Sequence, residues 1–81
     1  MTAGRRNRMR VDVDHLRLFL ERRTDHWAIA VLNRTNGAWL YRAQCTSEGV
    51  GRGILLDFAS SELGRGVATH ELQWVDMEST A

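Results

Sequence analysis

The chain has 81 residues, 43% of them hydrophobic and 26% charged, with 11 Arg, no Lys, 10 acidic residues, three His, one Cys and no Pro. That length suits one small domain, and the balance excludes wholesale disorder, collagen and a coiled coil. One Cys excludes an intrachain disulfide framework and a Cys-based zinc finger, no apolar run approaches the ~20 residues of a membrane span, and the Arg-bearing N-terminus lacks the apolar stretch of a signal peptide, so a cytoplasmic protein with no membrane partner is expected.

Charge is distributed unevenly. Residues 1–10, MTAGRRNRMR, carry four Arg and no acid, whereas the remainder carries seven Arg against ten acids. A basic arm therefore precedes a mildly acidic body. Residues 1–8 are expected to be a flexible arm, 9–77 the domain and 78–81 a frayed tail.

From Met9 to Glu21 the pattern is strand-like but changes phase. Val11 and Val13 alternate with Asp12 and Asp14, and then Leu16, Leu18 and Leu20 alternate with Arg17 and Phe19. One strand bulged near His15 explains the shift, since one inserted residue flips the facing. The rival is a short helix from Asp14 to Arg23, with Asp14 as N-cap. The next strand, residues 26–34 (HWAIAVLNR), is apolar on both faces and reads as interior. Asn36-Gly37 then signals a hairpin with a type I′ turn, which needs positive φ at both positions. Residues 38–45 (AWLYRAQC) return as the third strand. Thr46 and Ser47 can cap a helix that carries Val50, Ile54, Leu55, Phe58, Ala59 and Leu63 at the 3.6 period, ended by Gly64 or Gly66. The segment from Val67, VATHELQWVDM, reads as a fourth strand.

The expected fold is therefore α+β, a single small β-β-β-α-β domain. Its four-stranded, mainly antiparallel sheet has the order 3-2-1-4 with one helix on one face, the fourth strand lying beside the first and parallel to it. One helix cannot cover both sides of the sheet. Some of Trp27, Trp39, Tyr41 and Trp74 are expected on the uncovered face, half exposed, as a partner surface.

Few groups point to chemistry. Gly49, Gly51 and Gly53, placed between the third strand and the helix, fail both the G-x-G-x-x-G and the P-loop spacing, so anion binding there is left open against a purely structural role. His15, His26, Cys45 and His70 show no zinc-ligand spacing, and Cys45 reads as a small buried hydrophobe. Asp12 and Asp14 share a face of the first strand, and Asp76 ends the strand placed beside it; three such carboxylates are what a two-metal nuclease needs. The order β-β-β-α-β is similar to the first half of the ribonuclease H-like fold over residues 9–77. That resemblance implies that Asp12 or Asp14 stands for the family's first-strand aspartate, although the chain stops before the elements that complete the family's site. Finally Arg5, Arg6, Arg8 and Arg10 can pair with phosphates, and with Arg22, Arg23, Arg34, Arg42, Trp39 and Tyr41 nearby they suggest a single-stranded nucleic-acid platform, against which stands the net acidity of the body.

A core this small leaves no room for a deep cofactor pocket, so no cofactor and no enzymatic activity are expected. The expected function is an interaction module that binds a protein partner, or a second copy of itself, through the open sheet face or an edge strand. Nucleic-acid binding is the alternative, and a ribonuclease H-like metal nuclease the third reading.

Overall fold

The computed structural model describes residues 7–77. Five strands, β1 (Arg8–Val13), β2 (Leu16–Arg22), β3 (Trp27–Asn33), β4 (Trp39–Cys45) and β5 (Val75–Asp76), form one antiparallel sheet, and one helix, α1 (Glu48–Leu63), packs on one face of it. The sheet order is β4-β3-β2-β1-β5. The α+β class and the order of the core agree with the sequence; the count and direction of the strands need correction.

The segment from Met9 to Glu21 is neither a bulged strand nor a helix. It is a hairpin. Val13 pairs with Leu16, so Asp14 and His15 alone make the turn, and Asp14 sits in the left-handed region at φ 53. Asp tolerates that conformation better than most residues do. A two-residue turn shifts the apolar set from odd to even positions, as a bulge does, and thirteen residues are long for a single strand. The extra reversal also fixes the direction of the last strand. Each hairpin or crossover inverts the chain, so one uncounted inversion turns the expected parallel partner of β1 into an antiparallel one, with Met9 opposite Asp76 and Arg10 opposite Val75. The topological likeness to the ribonuclease H-like fold falls with that change.

The β3–β4 connection is a hairpin as expected, but not a type I′ turn. Its loop runs over residues 34–38, and only Gly37 has positive φ, at 74. The Gly37 N–H donates to the Asn33 carbonyl at 2.8 Å, and the Asn36 side chain accepts from the Ala38 N–H at 2.9 Å. The segment from Val67 is mostly not a strand. A 3-10 turn occupies Thr69–Glu71, and only Val75–Asp76 joins the sheet. Val67 and Leu72 are buried, so this segment serves mainly to close one end of the core.

Ser47 caps α1, its hydroxyl accepting from the Val50 N–H at 3.2 Å, and Gly64 ends it at φ 68. Gly49, Gly51 and Gly53 lie inside the helix rather than before it. Gly51, Leu55 and Ala59 form its buried stripe, at i, i+4, i+8. The core consists of this stripe and the inner sheet face, with Val11, Leu16, Leu18, Leu20, Ile29 and Val31 at its centre. Arg65 ties the far end together, reaching Glu71 at 3.1 Å and Asp14 at 3.4 Å. The Ala68 N–H and the Arg65 guanidinium hold the Glu71 carboxyl below its ordinary value.

Candidate binding face

Strand alternation divides the side chains of the sheet between two faces. On the inner face Val11, Leu18 and Val31 stand opposite one another in successive strands, under α1. On the outer face the cross-strand pairs make three rows. The first is Trp39, Leu32, Arg17, Asp12; the second Arg42, Ala30, Phe19, Arg10, Val75; the third Gln44, Ala28, Glu21, Arg8. α1 contacts the opposite face and covers none of these.

A bulge delivers Trp39 to this face. Tyr41 pairs with Val31 and Trp39 with Leu32, so Leu40 is the extra residue on β4. Without it, Trp39 and Tyr41 would share a side. With it, Tyr41 stays inside, stacked on Phe58 of α1 at 5.1 Å between centroids, and Trp39 emerges outside, 49% exposed. Trp39 meets Phe19 at 5.4 Å, and the Arg42 guanidinium lies 4.8 Å from the Trp39 ring centroid. Of the four aromatics from which the uncovered face was expected to draw some, Trp39 alone is there. Trp27 and Tyr41 are directed to the core, and Trp74 packs at its margin with Arg52 at 5.0 Å from its ring. Phe19, which the sequence reading did not select, is the second aromatic of the face. Its alternation with the buried Leu18 and Leu20 is the signal that places it there.

Ala28 and Ala30 form a low floor between β2 and β4. Phe19, Glu21, Arg23, Trp39 and Arg42 rise around it and enclose an open concavity of about 400 Å³. That volume lies within the range of small-ligand clefts.

The face is strongly basic. Arg8, Arg10, Arg17, Arg23, Arg34 and Arg42 surround it, against Asp12 and Glu21. Asp12 receives Arg17 in a two-pronged contact at 2.7 and 3.1 Å, with Arg34 at 3.6 Å and Arg10 at 4.0 Å. Glu21 holds Arg23 at 3.2 Å and Arg8 at 4.0 Å. Two carboxylates thus serve five guanidiniums, and Arg42 has no carboxylate partner among the described residues. Of the expected Arg cluster, Arg8 and Arg10 belong to β1, while Arg5 and Arg6 lie outside the described residues, as do most of the proposed arm and the proposed tail. Asn7 accepts from the Arg22 N–H at 2.6 Å and so continues the edge of the sheet. Arg22, opposite Trp27, belongs to the other side.

The hydrogen bonds from Arg17, aided by the charges of Arg34 and Arg10, hold the Asp12 carboxyl below its ordinary value of 3.8. A depressed folded-state value stabilises the fold above the unfolded value and loses that contribution as pH falls through the folded one. Asp12→Asn is therefore expected to be less stable than the parent at pH 7, and the gap to be smaller at pH 2.5 than at pH 7. Urea melts at the two pH values check this; an equal gap at both would assign the loss to packing instead.

No catalytic cluster forms from the expected carboxylates. Asp76 stands opposite Met9, which is buried on the inner face, while Asp12 is on the outer face. Among the described residues no group of three or more His, Cys, Asp or Glu stands close enough to hold a metal ion. His26 pairs with its neighbour Asp25 at 2.8 Å. Cys45 is buried, its thiol 3.5 Å from the Ser47 carbonyl. Among the described residues no helix is long and apolar enough to cross a membrane. Comparison with protein-family models, with curated proteins and with solved structures finds no match to this chain.

Proposed function

We propose that this chain is a non-enzymatic interaction module that docks an anionic macromolecular partner on the open face of its sheet. The observation that carries the reading is an aromatic pair, exposed Trp39 and half-buried Phe19, set among six guanidiniums and only two carboxylates of the sheet face. Apolar surface of this kind favours burial against a partner, and the charge selects an acidic one. Two copies apposed through this face would bring like charges together, so it is not the surface for self-association.

A single-tryptophan variant, Trp27→Phe with Trp74→Phe, isolates Trp39 and tests the reading. Acrylamide, a neutral quencher, is expected to reach Trp39 at about half or more of its rate with a free indole, in keeping with the 49% exposure. Iodide is expected to quench far better than caesium because the face attracts anions. Shielding from acrylamide would mean that the chain roofs this face itself, and equal quenching by the two ions would remove the electrostatic basis.

A second reading concerns the outer edge of β4. This seven-residue strand ends the sheet, guarded by the bulge at Leu40 and the charge of Arg42 but with Tyr41–Cys45 paired on one side only. A second copy pairing there would extend the sheet and leave the basic face free. Sedimentation at high micromolar concentration decides, since a monomer removes this reading without affecting the first.

A further inference from the structure

We infer that the occupant of the open face is single-stranded nucleic acid, with an unpaired base laid on the Ala28–Ala30 floor against Trp39 and Phe19. The inference rests on the docking face proposed above and names its partner. Three features carry it together.

The first is charge segregation. The net acidity of the body, which counted against a polyanion, belongs largely to the opposite side. Glu48, Asp57 and Glu62 lie on α1, and Glu71 and Asp76 lie beyond it, against Arg22, Arg52 and Arg65. On and around the sheet face six Arg stand against Asp12 and Glu21, with Asp14 and Asp25 in the turns at its two ends. A strand approaching it meets cations, with the acids of α1 behind the sheet.

The second is the kind of cation. All are guanidiniums, whose planar fork matches phosphate oxygens in two-point contacts and stacks on flat rings. Arg10 and Arg42 flank Phe19 and Ala30 in one row across four strands, so phosphates on both sides of a seated base meet a guanidinium.

The third is the floor. Alanine at positions 28 and 30 leaves a flat gap beside Trp39, and the gap opens to solvent. Base-on-aromatic stacking tolerates any sequence because every base has a π-face. A duplex hides those faces inside its own stack, and the element able to enter a major groove, α1, sits on the acidic side. An acidic peptide would satisfy the arginines but would need an aromatic side chain at one set position to fill the floor, whereas every nucleotide carries a planar base. These contrasts favour a single strand.

The test uses the full-length chain and fluorescein-labelled 12-nucleotide probes, one of mixed deoxy sequence and one of oligouridine, with a 12-base-pair duplex and poly-L-glutamate as rivals. The single strands are expected to bind and to quench Trp39. With about four phosphates neutralised, log K against log salt is expected to fall with a slope near −3, about 50-fold between 50 and 200 mM salt. Trp39→Ala is expected to weaken binding about 10- to 100-fold, and Arg42→Gln to weaken it and flatten the salt slope. Asp57→Asn, on the far side, serves as the control and is expected to leave affinity within about twofold. If poly-L-glutamate binds through Trp39 and Arg42 while the single strands do not, the nucleic-acid inference falls and the docking face stands. If the duplex binds as tightly as the single strands and Trp39→Ala changes neither, base stacking is refuted. If no polyanion binds, both readings fall.

Discussion

Leu18→Ala is expected to remove a large share of the protein's stability. Leu18 is fully buried, and its cross-strand neighbours Val11 and Val31 are buried with it. Removing a buried leucine side chain forfeits its transfer energy and leaves a cavity that neighbours fill only in part, a loss of about 3 kcal/mol. Domains of this length hold about 4–12 kcal/mol in total, so the loss is a large share. The melting temperature should drop by about 12–24 °C. Leu32→Ala makes the comparison sharp, because Leu32 is on the outer face beside Trp39 and only half-buried. Its loss is expected to be well under half as large. Thermal melts by circular dichroism measure both, and equal drops would show that the two sheet faces are covered alike.

The second large effect concerns two glycines of one helix that respond in opposite directions to the same substitution. A Cβ at Gly51 would come within 2.9 Å of Leu20 Cδ1, 3.0 Å of Cys45 Sγ and 3.2 Å of Ile29 Cγ2. The missing side chain at this position lets α1 lie close over β2, β3 and the end of β4. Gly51→Ala adds about 1 kcal/mol of helix propensity but forces a well-filled core to move, a penalty of about 1–3 kcal/mol, so net loss is expected. Gly51→Val, with two further methyl groups and no comparable propensity gain, should lose more. Gly53 has open space around it, and Gly53→Ala should stabilise by about 0.5–1 kcal/mol. Chemical denaturation of the three variants checks the order. A stabilised Gly51→Ala would show that the helix rides higher over the sheet than these distances indicate.

The sequence made the β3–β4 hairpin, the capped helix and the inner face legible because each depends on local signals: Asn-Gly, Ser47 before a helical period, and Leu at alternate positions. Three things escaped it, each for a physical reason. The turn at Asp14-His15 contains no glycine, and its parity shift is the same as that of a bulge, so strand length was the only remaining discriminant. The bulge at Leu40 lies within an unbroken apolar run, Ala38 to Tyr41, where alternation carries no phase. Its effect was to send Trp39 and Tyr41 to opposite sides, which alternation alone would have kept together. The surface field escaped because a net count adds charges that the fold separates. Arg8, Arg10 and Arg17 alternate with buried Met9, Val11 and Leu18. Their common side was readable only once β1 and β2 were known to be neighbours. Of the candidate site, Trp39, Arg8, Arg10 and Arg42 were visible as residues of interest, while Phe19 and the alanine floor became meaningful only through pairing with strands far along the chain.

The antiparallel seat of β5 beside β1 has a consequence for topology engineering. The Met77 N–H donates to the Arg8 carbonyl at 2.8 Å, so the two extremities of the folded unit are adjacent on one border of the sheet. A short glycine-serine bridge could join them, and new termini could be opened at the exposed tip around Gly37. Such a circular permutant keeps every ladder but exchanges their separations: the two-pair β1–β5 ladder becomes a neighbouring one, while the six-pair β3–β4 ladder joins the new first and last strands. Since closing distant segments is the entropic step that slows assembly, the rearranged chain, whose larger ladder now closes last, should fold more slowly than its parent.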